Sequence, residues 1–450
     1  MTTPADRPLP MRFLWFLGPL ILSNVLQALG GTLNNVYLGQ MLGARAMAAA
    51  VSFFPVHMFL LAFVIGLGTG ASILVGQARG AGDLDKARQV AGAVIWGGLL
   101  LGIAVAAIGG VTAAWLVRWL GTPAEIEGDA VRYASVLMAG LPIFFTSMLA
   151  AAVLRGMGDT VTPLRMLVVS CLVSAALTPA LIRGWLGLPK LGVSSAAWAQ
   201  LAATLLALAW LTWHLRRSGH GLALHLLRAH LRPHAPVLRN VVRLGIPTGL
   251  FFVTGSLADM ALLSLVNRHG VHATAAWGAV NQVIAYVLFP AMSIAIAASV
   301  FAAQAIGAGR REDVGRVARV GLLMNLALTG SLALLVALLA PFVVSLFVKD
   351  AAVIDLAAQV LRLSVWGSIL FGLASVFSGV MRAAGTVRVP TAISLGCLAL
   401  LLYPLGRLLG GAFGLPFVWL AYPLTYACAL LLQAGYYHRI WRRRPIAKLV

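Results

Sequence analysis

The sequence predicts an all-α polytopic membrane protein. It places twelve transmembrane helices in two six-helix lobes, related by a parallel repeat with a pseudo-two-fold axis along the membrane normal. Three observations carry this prediction. Of the 450 residues, 61% are hydrophobic and 10% are charged, and the mean hydropathy is +0.94. A soluble protein carries about 25% charged residues, and intrinsic disorder requires low hydrophobicity, so both classes are excluded. Twelve apolar runs then meet the requirement of about 20 helical residues for a bilayer core about 30 Å thick. Finally, the second half of the chain repeats the first.

Taken in order, the first run, 13–38, is too long for a signal-peptide core and lacks a small-residue cleavage site after it. It holds Pro19 and a polar run of Asn24, Gln27, Asn34 and Asn35 that roughly shares one helical face. The second run, 47–77, contains Pro55 and His57. The third, fourth, fifth and sixth are 90–117, 131–155 (with Pro142), 163–183 and 192–215. A basic segment, 216–242, links the lobes. The seventh run, 243–267, contains Asp259, and the eighth, 274–305, holds Asn281, Gln282 and Pro290. The ninth, 317–346, carries Asn325, and the tenth is 357–381. The eleventh, 390–411, contains Pro404, and the twelfth, 415–438, contains Pro423. Each internal proline removes a helix hydrogen bond and can kink its helix. Pro19 is the expected conformational hinge.

A shift of 227 residues superposes the halves. It carries Gly43 to Gly270, Ala71-Ser72 to Ala298-Ser299, and Gln77 to Gln304. It also carries Gly80-Ala81-Gly82 to Gly307-Ala308-Gly309, Arg155 to Arg382, Gly158 to Gly385, and Gly187-Leu188-Pro189 to Gly414-Leu415-Pro416. Six helices per repeat return the chain to its starting side, so the repeat is parallel. The lobes are residues 1–215 and 243–450, the latter ending in a basic tail. Two such lobes are the build of an alternating-access transporter.

Charge sets the orientation. The formal net charge is +21, from 33 Lys+Arg against 12 Asp+Glu. With the N-terminus inside, 24 of the 33 fall in cytoplasmic segments and 9 outside. The linker contributes Arg216, Arg217, Arg228, Arg232 and Arg239, with Arg243 at its edge, and the tail Arg439, Arg442, Arg443, Arg444 and Lys448. The positive-inside rule therefore puts both termini in the cytoplasm, here of a bacterial inner membrane. The basic excess is expected to meet lipid headgroups, not nucleic acid.

Eleven of the twelve carboxylates fall in loops or at span ends: Asp6, Asp83, Asp85, Glu125, Glu127, Asp129, Asp159, Glu312, Asp313, Asp350 and Asp355. Asp259 alone lies within a predicted span. An ionised Asp near the bilayer centre costs on the order of 2.5–3.5 kcal/mol on insertion scales. It must face water, take up a proton or find a partner. Asp259 is thus the expected cation-coupling residue, with Asn281 and Gln282 of the next helix. Thr254, Ser256 and Asn325 are further oxygen donors. Such oxygens suit a hard cation, so a sodium ion at Asp259 is one expectation and a proton the other. The polar run on the first helix is expected to line the substrate cavity.

Cys171, Cys397 and Cys428 sit in apolar stretches without metal or redox spacing. The spans hold no HExxH, no paired acids and no nucleophile–base constellation, and the chain has no P-loop. An enzyme is not expected, nor any resident cofactor beyond the coupling ion.

The loop motifs carry a resemblance. After the second helix the chain reads Gly76-Gln77-Ala78-Arg79-Gly80-Ala81-Gly82, and after the eighth Ala303-Gln304-Ala305-Ile306-Gly307-Ala308-Gly309. After the fourth it reads Leu154-Arg155-Gly156-Met157-Gly158-Asp159-Thr160, and after the tenth Met381-Arg382-Ala383-Ala384-Gly385-Thr386. With twelve spans, this resembles the multidrug and toxic compound extrusion (MATE) family over nearly the whole chain. The resemblance implies export of amphipathic, often cationic compounds in exchange for sodium ions or protons, by a protein expected to act as a monomer. It also implies that polar residues present in many members are replaced here: an acid of helix one by Asn34, an Asn and an Asp of helix five by Ser174 and Thr178, and an acid of helix ten, present in some members, by Phe371. Ser174 and Thr178 join the expected cavity set. The alternative is a flippase or exporter of a lipid-linked oligosaccharide or similar molecule, which the scarcity of basic residues inside the spans disfavours.

Overall fold

The computed structural model describes residues 8–223, 234–446, 448 and 449. Arg228 and Arg232 of the linker, and Asp6, lie outside the described residues. Twelve helices among them are long and apolar enough to cross a membrane: α1 (Leu9–Leu42), α2 (Phe54–Gly80), α3 (Leu84–Trp119), α4 (Ala124–Gly156), α5 (Val161–Arg183) and α6 (Gly192–Arg217), then α7 (Ala235–Asn267), α8 (Val271–Gly307), α9 (Arg311–Leu338), α10 (Ala351–Ala383), α11 (Arg388–Phe413) and α12 (Leu415–Arg443). No strand occurs among the described residues. Helices satisfy their backbone groups internally, which a lipid environment demands.

The loops follow from their residues. Asp83 accepts a hydrogen bond from the backbone N–H of Lys86 (2.8 Å) at the start of α3. Asp159 accepts from Val161 and Thr162 (3.0 and 2.9 Å) at the start of α5, and Asp350 accepts from Ala352 (2.9 Å) at the start of α10. Several of the loop acids therefore cap helix N-termini. The repeat is visible in the backbone. Gly43 and Gly270, Gly82 and Gly309, Gly158 and Gly385, and Gly187 and Gly414 all adopt positive φ, from 74° to 96°. Each pair is separated by the 227-residue repeat, so both copies turn their loops at the same positions with the residue that tolerates that conformation.

Proline reshapes two of the expected spans. The second is interrupted at Phe53, between a short helix Ala44–Ser52 and α2. Pro55 lacks the N–H that would continue the ladder, and its ring disfavours an unbroken helix through this turn. The ninth ends at Leu338, and a separate short helix, Ala340–Ser345, begins beside Pro341. Within α10 the helix breaks between Ser364 and Gly367. A Cβ on Gly367 would stand 3.2–3.3 Å from the backbone and ring of Pro423 on α12.

The chain forms two compact units. One comprises Leu22–Arg79 and Asp83–Ile246. In it, α3 packs on α4 through a glycine stripe. A Cβ on Gly102 would lie 2.5 Å from the Cα of Pro142, and one on Gly109 2.5 Å from the Sδ of Met138. Gly98 meets Leu149 in the same way. The first turns of α7 pack on α2 by the same device. A Cβ on Gly245 would stand 2.7 Å from the Cα of Leu67, and one on Gly70 2.7 Å from the carbonyl oxygen of Val241. Lipid offers no hydrophobic drive for helix association, so close backbone approach over small residues supplies the attraction.

The other unit comprises Met1–Ile21, Gly80–Gly82 and Pro247–Val450. Phe13 and Phe16 of α1 pack on Phe301 of α8, with ring centroids 4.8 and 5.3 Å apart. The core of this unit gathers Leu262, Trp277, Val280, Leu361, Leu402 and Trp419. Asn325, fully buried in a π-helical turn of α9, donates to the carbonyl oxygen of Ile369 (2.9 Å) and accepts from Thr329 (3.0 Å). The unit boundaries cross α1 between Ile21 and Leu22, two residues past Pro19, and α7 between Ile246 and Pro247.

The glycine stripe makes a testable contrast. Gly102→Ala forces a methyl onto the backbone of Pro142 and should destabilise the protein by about 1–3 kcal/mol. Gly110→Ala, with open space around it, should be neutral or stabilising by up to about 1 kcal/mol. Thermal unfolding in detergent reads the difference, and equal effects would contradict the packing described.

Candidate functional site

Asp259 lies on α7 on accessible surface, and Oη of Tyr422 on α12 donates a 2.6 Å hydrogen bond to its Oδ1. An aromatic surround holds this tyrosine in place. The Tyr422 ring lies 6.5 Å from Trp277 and 6.3 Å from Tyr426, one helical turn along α12. Trp277 also packs on Trp419 at 5.4 Å. Phe371 meets Tyr426 edge-on at 5.3 Å and stacks on Phe251 at 6.4 Å. The surround thus draws on α7, α8, α10 and α12, and the carboxylate has one accessible side and one aromatic side.

The neighbours expected from sequence divide. Ser256 turns its hydroxyl to the carbonyl of Phe252 on its own helix (3.1 Å). Asn325 is committed to Ile369 and Thr329, so its amide serves α9–α10 packing. Asn281 is half-buried one turn beyond Trp277, and Gln282 is exposed. Among the described residues no hydrogen bond joins either amide to Asp259, whose side-chain partner is Tyr422. Tyr422 and Tyr426 were not singled out by sequence. The signal was present as two tyrosines four residues apart within an apolar span, each with a hydroxyl needing a partner when buried.

In the other unit, α1 lies along α5. The Cys171 thiol approaches the carbonyl oxygen of Leu26 at 3.9 Å, and Gly30 leaves room for that sulfur. Two turns further along, Thr178 Oγ1 donates to Asn34 Oδ1 at 3.1 Å. Positions 26, 30 and 34 form one face of α1, and 171, 174 and 178 one face of α5. Ser174 is buried, and its hydroxyl has no hydrogen-bond partner among the described residues. The structure therefore brings Asn34, Ser174 and Thr178 to one interface. Asn24 is half-buried, whereas Gln27 and Asn35 are exposed.

No group of three or more His, Cys, Asp or Glu side chains suited to hold a metal ion occurs among the described residues. What the molecule presents is a duplicated bundle of membrane-spanning helices, with the Asp259 carboxylate on accessible surface in one unit, away from the end turns of its helix, and a neutral amide–hydroxyl cluster in the other unit. That is the build of a membrane transporter. The chain belongs to the MATE family: the MatE family model matches it twice, at residues 19–180 and 247–408, once per repeat. It is 38% identical to the probable multidrug resistance protein YoeA of Bacillus subtilis, covering 97% of this chain and 95% of that protein. It is also 26% identical to an FAD transporter of Shewanella oneidensis, covering 92% of each. The fold matches the crystal structure of a D35N mutant of the Vibrio cholerae MATE transporter VcmN with a TM-score of 0.89, at 19% identity and 99% coverage of both chains.

The Asp259–Tyr422 contact is open to a double-mutant cycle. Asp259→Asn, Tyr422→Phe and the double variant should give a coupling energy of about 0.6–2 kcal/mol, the range for hydrogen bonds within membrane bundles. Additive effects on thermal unfolding would show that the two side chains do not interact.

Proposed function

We propose that this protein is a secondary multidrug exporter of a bacterial cytoplasmic membrane. It exchanges a sodium ion or a proton for amphipathic, often cationic compounds, with Asp259 as the coupling residue. The observation that carries this reading is the Asp259–Tyr422 pair, an acid placed within a span, reachable from one side and held by a hydroxyl on another helix. The Bacillus subtilis relative, named a probable multidrug resistance protein, supports the multidrug reading.

The chemistry follows from the pair. A proton on Asp259, or a sodium ion against its oxygens, competes with the hydrogen bond from Tyr422 and alters the tie between α7 and α12. Sodium favours oxygen ligands, and Asp259 Oδ, Tyr422 Oη and the amides of Asn281 and Gln282 on α8 are the donors this chain would offer. Cation arrival thus changes the packing of the aromatic surround, and a lipophilic cation competes for the same negative site. Binding of ion and substrate is mutually unfavourable by linkage, which is what exchange requires. Asn24, Gln27, Asn34, Asn35, Ser174 and Thr178 supply neutral polar contacts for substrate. Pro19 acts as the hinge of α1, a role supported by the unit boundary two residues beyond it. The protein works as a monomer without a resident cofactor, with both termini in the cytoplasm, a placement that the arginine distribution supports.

A second reading, export of a larger or lipid-like molecule, draws support from the relative named as an FAD transporter.

Purified protein in liposomes separates these readings. A fluorescent lipophilic cation is loaded, and a sodium gradient or a pH gradient is imposed alone. One gradient should drive transport, and Asp259→Asn should reduce the gradient-dependent rate by about tenfold or more, within the range of coupling between linked sites. Undiminished coupled transport by Asp259→Asn would sink the assignment. No transport of any lipophilic cation, with transport of a flavin nucleotide instead, would favour the second reading.

A further inference from the structure

The 227-residue repeat extends past the last span of each half into segments that no transport role absorbs. At the end of α6 stand Trp210, Trp213, His214, Arg216 and Arg217, followed by Leu222. At the end of α12, the repeat-related positions are Tyr437, Ile440, Trp441, Arg443 and Arg444, followed by Leu449. The three-dimensional arrangement repeats as well. Trp210 stacks on His214 with centroids 4.9 Å apart and planes 9° apart. Tyr437 stacks on Trp441 at 5.1 Å and 20°.

Each segment is then fastened down. Leu222 is 2% exposed, and the preceding Gly221 carbonyl accepts a 2.8 Å hydrogen bond from Nε of Arg88 on α3. In the second copy Trp441 is buried and its Nε1 donates to Thr386 Oγ1 at 3.0 Å. Leu449 packs against Gly385, where a Cβ would come within 2.8 Å of it. Both copies thus hold the chain beyond the last span against their own unit.

What each fastened segment leaves outside shares one pattern. One large apolar residue is exposed, Trp213 at 54% and Ile440 at 44%. Two adjacent arginines are exposed just beyond it in both copies, Arg216-Arg217 and Arg443-Arg444, and the second copy adds an exposed Arg442 before its pair. The Arg217 guanidinium lies 5.4 Å over the Trp213 ring. Among the described residues no carboxylate pairs with any of the four arginines. An exposed Trp at the end of a spanning helix belongs at the level of the headgroups, and Ile440 holds the repeat-related position. An arginine pair beside it presents planar forks that match phosphate oxygens. A soluble polyanion would match the arginines and leave the apolar residue unexplained.

We propose that these two repeat-related segments are headgroup-binding feet, each taking the phosphate of one anionic phospholipid between its arginine pair and its exposed apolar residue. This is a lipid-recognition function separate from the exchange proposed above, and its readout does not require transport.

Native mass spectrometry of the full chain tests it. The protein is held in neutral detergent with phosphatidylglycerol, or with phosphatidylcholine of the same acyl chains. The wild type should retain two phosphatidylglycerol molecules in preference to phosphatidylcholine. R216Q/R217Q and R443Q/R444Q should each retain one, and the quadruple variant none. An arginine beside an anionic surface is worth about fivefold in affinity, so each double variant should lower affinity at its site by about 25-fold. R310Q/R311Q, which alters an exposed arginine pair outside the feet, should retain both lipids. Gel filtration checks that each variant remains monodisperse. The R216K/R217K/R443K/R444K variant keeps the charge and should still prefer phosphatidylglycerol. The proposal is overturned if the quadruple glutamine variant keeps both lipids, if R310Q/R311Q loses as many, or if phosphatidylcholine is retained equally. Displacement of the lipid by a short oligonucleotide at equal phosphate concentration would likewise overturn it, because the apolar residue would then play no part.

Discussion

A bilayer interior offers the backbone no hydrogen-bond partner, and every other feature of this protein answers to that constraint. It makes each crossing a helix, and it removes the hydrophobic drive that packs helices in water. What remains is contact and internal hydrogen bonding. The α3–α4 seam shows the first, with Gly98, Gly102 and Gly109 admitting Leu149, Pro142 and Met138 to near-backbone distance. The buried amide of Asn325 shows the second. The Asp259–Tyr422 bond belongs to the same logic, a polar group within a span given a partner on another helix.

The two halves solve one packing problem differently. The repeat carries Gly98 to Asn325, Gly102 to Thr329 and Pro142 to Ile369. In the first half, Gly102 lets Pro142 press against the α3 backbone. In the second, Asn325 reaches the carbonyl of Ile369 and is steadied by Thr329, within a π-helical turn. A further close approach appears here, since Gly372 leaves the space that the Asn325 amide fills. Replacing a steric seam by a hydrogen-bonded one changes what each half can tolerate. Small residues permit sliding contact, whereas a buried amide specifies one register, because a broken pairing leaves an unsatisfied polar group. The duplicated fold is therefore mechanically unequal in the half that carries Asp259.

Much of the architecture was legible in the linear pattern, because hydropathy over about 20 residues and a repeat of 227 are long-range signals that survive local noise. The break at Phe53 was partly legible through Pro55, whereas the break at Leu339, beside Pro341, was not anticipated. A proline announces a disturbed turn without saying whether the helix bends or stops. Within the site, Asp259 stood out because no other acid lies inside a predicted apolar run; the other acids of the spanning helices sit in their end turns. Asn34, Ser174 and Thr178 stood out through the family resemblance, and the structure adds that Asn34 and Thr178 share a hydrogen bond. Tyr422 was not legible. It lies 163 residues from Asp259, and a tyrosine in an apolar span is as often a packing residue as a partner.

By itself, then, the sequence determined that the chain crosses a membrane, how many times, that it does so as one unit repeated, and that a single carboxylate is committed to the interior of a span. These are statements about composition and periodicity, which need no knowledge of which helices touch. Only the tertiary structure decided that Asp259 faces Tyr422 within an aromatic surround, that Asn325 is spent on Ile369, and that the first turns of α1 and α7 leave their own halves to join the other compact unit. The physical reason is that each of these depends on helix rotation and neighbour choice. Those are set by the summed fit of many small side-chain contacts, and no single residue in the sequence announces that fit.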